Sequence, residues 1–194
     1  MTITERKQAK QAVGSAASAP TGDSSRQRAP ERHRLPFDPV AAAARIWEQR
    51  WPERERMEAV TSLMRVHQLV LTELDDRLRP LGLTFARFEV LVLLSFSRRG
   101  SLSLGKIGER LQVHATSVTP LVKRLEAGGL ITRTRHPEDG RAVLAEITPK
   151  GRAVTEQASK IITDAQFALG SLDEDQCRSL TQLLITPREA AGDF

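Results

Sequence analysis

One cysteine, no tyrosine, two tryptophans and six phenylalanines are spread over 194 residues. The lone Cys177 excludes an intrachain disulfide and fits a reducing compartment. With so few rings, any core has to be aliphatic. The longest apolar run, Val90 to Leu94, falls far short of the ~20 residues that a membrane span needs, and the N-terminus is polar rather than leader-like. The expectation is a cytoplasmic protein that makes no use of a membrane. The four histidines are scattered, and the chain lacks zinc-ligand spacing, a Gly-rich phosphate loop and paired carboxylates. No catalytic site, metal or cofactor is expected, and the chain does not read as an enzyme.

What the chain does have is charge that is unevenly placed. Residues 98–152 carry eleven Lys and Arg against five Asp and Glu, whereas residues 153–194 carry three against seven. A basic segment beside neutral or acidic helices is the electrostatic footprint of a phosphate-binding module. The length suits one domain with a real core.

The basic segment has a readable plan. Ser103 is placed to cap a short helix in which Leu104, Ile107 and Leu111 recur at spacings of three and four. A second helix, from about Ala115 to Ala127, puts Val118, Leu121, Val122 and Leu125 on one side. Its other faces are hydroxyl-bearing and basic, and Gly128-Gly129 is a helix stop. Two strand-like runs, Leu130 to Arg135 and Ala142 to Thr148, flank a turn containing Pro137 and Asp139-Gly140. Helix, turn, helix and hairpin in this order predict a winged helix-turn-helix, hence a nucleic-acid-binding protein. Pro120 is the discordant residue: in a helix interior it removes the amide bond to residue 116, so the helix is either kinked or starts late.

The remaining segments read as follows. Residues 1–35 lack periodicity and large aliphatics and read as a disordered basic tail, either simply solvated or an arm on DNA through Arg26, Arg28, Arg32 and Arg34. Residues 36–52 hold an extra N-terminal helix with Val40, Ala43, Ala44, Trp47 and Trp51 at helical spacing. Residues 53–82 form a long helix, with Met57, Val60, Leu63, Met64, His67, Val70, Leu71, Leu74 and Leu78 in a three-four rhythm that Pro80 and Gly82 end. His67 is either a packed core histidine or a ligand contact. Thr84 is placed to cap the next helix, in which Phe88, Leu91, Val92 and Leu94 are core candidates. Residues 83–148 make the DNA-binding domain and residues 149–194 two C-terminal helices. The first of these opens at Thr148-Pro149 and carries a stripe from Val154 to Leu169; the second opens on a capping box at Asp173 and Gln176. The fold class is mainly α with a small β-wing (α+β).

The chain from about Met57 to Leu184 resembles the MarR family of bacterial transcriptional regulators. The likeness is carried by Leu83-Thr84 leading into Phe88-Glu89-Val90-Leu91, by LGKIGERLQV, by TSVTPLVKRLEAGGLITR, by Asp139-x-Arg141 and by Thr148-Pro149-x-Gly151. The resemblance implies a homodimer whose terminal helices interleave, bound to a pseudo-palindromic double-stranded DNA operator. His114, Thr116, Ser117 and Thr119 then fall at the start of the helix that enters the major groove, where base edges are distinguishable, while Lys123 and Arg124 fall further along as phosphate contacts. For Thr116 and Ser117, helix capping or bonding to the main chain is the competing role. Arg141 resembles the family's minor-groove wing arginine, with Asp139 orienting the hairpin. Arg99, Lys106, Arg133 and Arg135 are either phosphate contacts or solvated charges.

The extra helix is similar to that of the family's urate-responsive branch. The likeness implies a small-molecule effector, with Trp47 capping its pocket or serving only as a packing anchor, and Glu89 at an acidic position of that branch. Leu121 replaces that branch's recognition-helix arginine, which argues against urate itself. Trp51, Arg65, His67 and Arg87, with Arg98, are further candidates for an anionic or aromatic carboxylate or an acyl thioester, the competing reading of the arginines being ordinary surface ion pairs. Cys177 reads as a small interface hydrophobe, because peroxide-sensing members carry their reactive cysteine in the N-terminal helical region. The reading is a dimeric, ligand-released repressor; the alternative is an architectural or protein-docking winged helix without sequence preference.

Overall fold

Three-four periodicity and good end signals give seven α-helices among the described residues, with a small sheet set between them. The computed structural model describes residues 35–135 and 142–194. Contacts divide the chain into Met1–Pro39, of which only residues 35–39 are described, and Val40–Phe194.

Helix α1 (Pro39–Trp47) buries Val40 and Ala44. Beyond its end the Trp47 and Trp51 rings meet at 4.9 Å, and Trp47 Nε1 donates to the Pro52 carbonyl at 2.8 Å, fixing the corner before the next helix. Helix α2 (Arg54–Leu78) is 25 residues long and passes into a 3₁₀ turn at Arg79–Leu81, which ends on Gly82 in the left-handed region. Helix α3 (Phe85–Phe96) follows at once. Thr84 occupies its N-cap position without a side-chain cap bond; the Phe85 amide instead donates to Asp75 Oδ1, 2.6 Å away on α2. Local sequence pointed to the threonine, and the tertiary approach of α2 supplied a stronger, charged acceptor.

The winged part begins with a strand that the sequence pattern did not reveal. Strand β1 (Ser101–Ser103) is three residues long, too short to show alternation, and exists through its pairing with β3. Helices α4 (Leu104–Leu111) and α5 (Ala115–Ala127) follow, then β2 (Ile131–Arg135) and β3 (Val143–Ile147). The sheet is antiparallel in the order β1-β3-β2, with Leu102 opposite Ala145 and Arg133 opposite the same residue from the other side. Gly129, at φ +69°, turns the chain from α5 into β2.

Helix α6 (Pro149–Asp164) ends sooner than the stripe to Leu169 suggests. Gln166, Phe167 and Ala168 form a short left-handed turn with φ between 49° and 59°, and no glycine or proline announces it. Helix α7 (Glu174–Ala190) opens on the capping box of Asp173 and Gln176 and buries no residue within the subunit.

The core is aliphatic around one phenylalanine. Leu74 and Leu78 of α2, Phe88, Leu91 and Leu94 of α3, and Ile107 of α4 meet Val118, Val122 and Leu125 of α5, Ile131, Ala145 and Ile147 of the sheet, and Ala158 and Ile162 of α6. One stripe of α2 is divided in two. Leu74 and Leu78 are 1% and 0% exposed, but Val60, Leu63 and Met64, on the same face two to four turns earlier, are 49%, 43% and 59% exposed. His67 lies on the bare part of this stripe and is exposed, so the packed-histidine reading does not hold within one subunit. Among the described residues no helix is long and apolar enough to cross a membrane.

Candidate nucleic-acid interface

Helix α5 carries the exposed polar face, and its N-terminus is set by an imidazole. His114 is the N-cap: its Nδ1 accepts from the Thr116 amide at 3.3 Å and lies 2.8 Å from Thr116 Oγ1. A histidine cap is outside the usual Ser, Thr, Asp and Asn signal, so the residue pattern alone offered His114 only as a groove contact. Thr116, Ser117, Lys123 and Arg124 are exposed, Thr119 is half-buried, and Val118, Val122 and Leu125 face the core. The helix therefore presents hydroxyls near its start and two cations in its second half. Neither Lys123 nor Arg124 has an ion-pair partner among the described residues.

Arg133 and Arg135 are exposed on β2, but they differ in freedom. Arg133 donates through Nε (2.7 Å) and Nη2 (2.6 Å) to Glu126 Oε2, tying the strand to the last turn of α5. Arg99 and Lys106 are exposed, and Lys106 is joined on α4 by Arg110, one turn on, a cation the sequence reading passed over. Asp139 and Arg141 lie outside the described residues.

The Thr148-Pro149-x-Gly151 step is a knot between α5 and α6. Thr148 Oγ1 donates to the Gly129 carbonyl (2.8 Å) and accepts from the Gly151 amide (3.0 Å), while the Thr148 amide donates to the Leu130 carbonyl (3.0 Å). Lys150 Nζ donates to the Gly128 carbonyl at 2.8 Å, satisfying an acceptor at the end of α5 with a charge of the favourable sign. A Cβ on Gly151 would overlap the Leu130 carbonyl oxygen and lie 2.8 Å from Ile147 Cγ1. Glycine is required here for close approach.

The turn between α4 and α5 is also held from a distance. Gln112, the left-handed C-cap of α4, donates through Nε2 to Asp193 Oδ1 (2.7 Å), and Arg188 Nε donates to Asp193 Oδ2 (2.7 Å). The Arg188 and Gln112 hydrogen bonds hold the Asp193 carboxyl below its ordinary value of 3.8. An open cleft of about 640 Å³ lies in front of this turn, lined by Gly105, Gly108, Glu109, Gln112, Val113 and His114.

The effector candidates are spread over α1 and the turn after it, α2 and α3. Trp47 and Trp51 pack together, whereas Arg65 and His67 are exposed on α2. Arg87 donates to Thr84 Oγ1 (3.2 Å) and lines a cavity of about 270 Å³ with Asp75, Arg79, Gly82, Leu83 and Thr84. Glu89, half-buried on α3, has no hydrogen-bond or ion-pair partner among the described residues, and burial pushes its carboxyl above the ordinary 4.5. A carboxyl with a raised folded value contributes stability below its unfolded value and loses it as pH rises through the folded one. Glu89→Gln is therefore expected to raise Tm at pH 7, with the advantage over the parent shrinking as the pH falls toward 4.5. Parallel melts across that range check it, and an equal advantage at every pH would refute it.

Comparisons with known proteins agree on one family. A profile described as the MarR family matches residues 83–143. The solved structure of Sco5413 from Streptomyces coelicolor, a MarR family transcriptional regulator, is 48% identical, with a TM-score of 0.68 over 72% of this chain and 97% of that one. Sco3205 from the same organism, solved in complex with DNA, is 25% identical, with a TM-score of 0.66 over 73% of this chain and 90% of its own. The organic hydroperoxide resistance transcriptional regulator of Bacillus subtilis is 38% identical over 81 residues, which span 42% of this chain and 54% of that protein.

Proposed function

The chain belongs to the MarR family of winged-helix transcriptional regulators, and from that premise we propose that it is a dimeric repressor that binds a pseudo-palindromic operator and leaves it when a small effector binds. The observation that carries the DNA reading is the exposed face of α5, with hydroxyls near its start and, in its second half, cations that have no ion-pair partner among the described residues, beside a basic strand. In the major groove the first group reads base edges and the second holds phosphates. Two copies would set these helices roughly 34–36 Å apart, one helical turn of DNA. The uncovered half of the α2 stripe and α7 support the dimer, because among the described residues the former is exposed and no residue of the latter is fully buried.

The effector of this reading is a small anionic or aromatic carboxylate, or an acyl thioester, met by residues drawn from Trp47, Trp51, Arg65, His67, Arg87 and Glu89. Arg87 supports this reading by lining a cavity of about 270 Å³. Release requires unequal affinity of that ligand for the two spacings of the recognition helices.

The test is a gel shift on the DNA upstream of the protein's own gene against a scrambled duplex of equal length at physiological salt. Strong preference for the first supports a specific regulator; equal, weak binding to both defeats it. In the same assay Arg124→Ala and Arg141→Ala are each expected to weaken binding and to lower the slope of log affinity against log salt by about one unit, the loss of one phosphate-region cation. An unchanged slope removes that residue from the interface.

A further inference from the structure

We propose that Pro120 is a specificity-determining residue: lacking an amide, it leaves the Thr116 carbonyl free as a main-chain acceptor that reads a base amino group in the major groove. Helix α5 runs without a break from Ala115 to Ala127, so Pro120 stands at its sixth position, beyond the first turn where a missing amide is harmless. In a helix the carbonyl of residue 116 is the acceptor for the amide of residue 120. Proline has none to give, and its ring crowds that carbonyl.

The direction of that opening is set by the faces of the helix. Residues 116 and 120 are one turn apart on the same side, and both are exposed, as are Ser117, Lys123 and Arg124. Val118, Val122 and Leu125 occupy the buried side. The acceptor deprived of its usual donor thus lies on the face that the proposed function turns toward DNA. The Thr116 side chain is already engaged, because its hydroxyl lies 2.8 Å from His114 Nδ1 and its amide is capped by the same ring. Of the polar groups of residue 116, the carbonyl is the one whose ordinary helical donor is missing by covalent necessity.

A carbonyl only accepts, so its chemistry selects a donor. The major-groove donors are the amino groups of cytosine and adenine, whereas guanine and thymine present acceptors there. One position in each half-site should therefore prefer cytosine or adenine, and the preference should depend on residue 120 and not on the residue 116 side chain.

The inference rests on the sequence-specific reading above, and the experiment separates the two. The full-length protein, Pro120→Ala and Thr116→Val are each titrated against an operator series carrying every single base-pair substitution. The parent is expected to discriminate about tenfold at one cytosine or adenine position, in the range of a good direct contact. Pro120→Ala, whose restored amide claims the carbonyl, is expected to lose that discrimination, keep the rest of the profile and melt at a higher temperature. Thr116→Val is expected to retain the discrimination. Replacing a preferred adenine by purine, which lacks the amino group, should weaken the parent and leave Pro120→Ala unaffected. An unchanged profile in Pro120→Ala, a uniform weakening across all sites, or loss of the same preference in Thr116→Val would each overturn the inference while the sequence-specific reading stands. A parent without base preference anywhere overturns both.

Discussion

Gly151→Ala is expected to destabilise the fold by about 3 kcal/mol, the upper end of what overpacking of a well-packed site costs, and to lower Tm by roughly 6–12 °C for a chain of this size. The added Cβ meets a backbone carbonyl, that of Leu130, and not the movable end of a side chain; Ile147 Cγ1 closes the other direction at 2.8 Å. Neither neighbour yields cheaply. The Leu130 carbonyl accepts the Thr148 amide, and Ile147 is a core residue at the end of β3. Relief requires the first turn of α6 to move away from the end of α5, which breaks the Thr148 and Lys150 bonds at the same junction. Circular-dichroism melts read the effect directly, and a Tm within about two degrees of the parent would show that the junction is soft. Operator affinity of the folded protein should fall as well, since this junction fixes the recognition helix relative to α6.

The second large effect is expected from Leu63→Glu combined with Met64→Glu. Both residues sit on the uncovered half of the α2 stripe, and neither is needed by the subunit's own core. The variant should keep its helical content and elute as a monomer, because two carboxylates buried without partners at an interface are strongly unfavourable. A monomer reaches one half-site at a time, so operator affinity should drop about a hundredfold or more, the usual gain from linking two binding events. If the variant remains a dimer with full operator affinity, α2 is not the dimer seam.

The winged plan was legible because its signals are local. Ser103 accepts from the Lys106 amide, the double glycine stops α5, and Thr148 and Asp173 cap the last two helices through bonds to residues three positions on. What escaped depends on residues distant in sequence. Strand β1 is drawn out by β3, more than forty positions away, and the cap of α3 comes from Asp75 on another helix. The break at Gln166 to Ala168 uses residues with no turn preference. Arg133 and His114 are exposed, and their bonds to Glu126 and Thr116 appear only when partners are placed in space. Lys150 was hidden for the same reason: in sequence it is one lysine in a first helical turn, and in space it closes the end of α5.

The Glu126–Arg133 pair reaches beyond the two residues that form it. It pins β2 to the last turn of α5 on one side while the Thr148 junction ties the residues just after that turn to the start of α6 on the other, so helix and sheet form one unit with a fixed internal phase. In the proposed dimer, what remains adjustable is the placement of one such unit relative to the other, its distance and its rotation together. Under the proposed two-half operator, the number of base pairs between the halves is then set by the dimer helices, whereas the arrangement of contacts inside each half is set by this rigid unit.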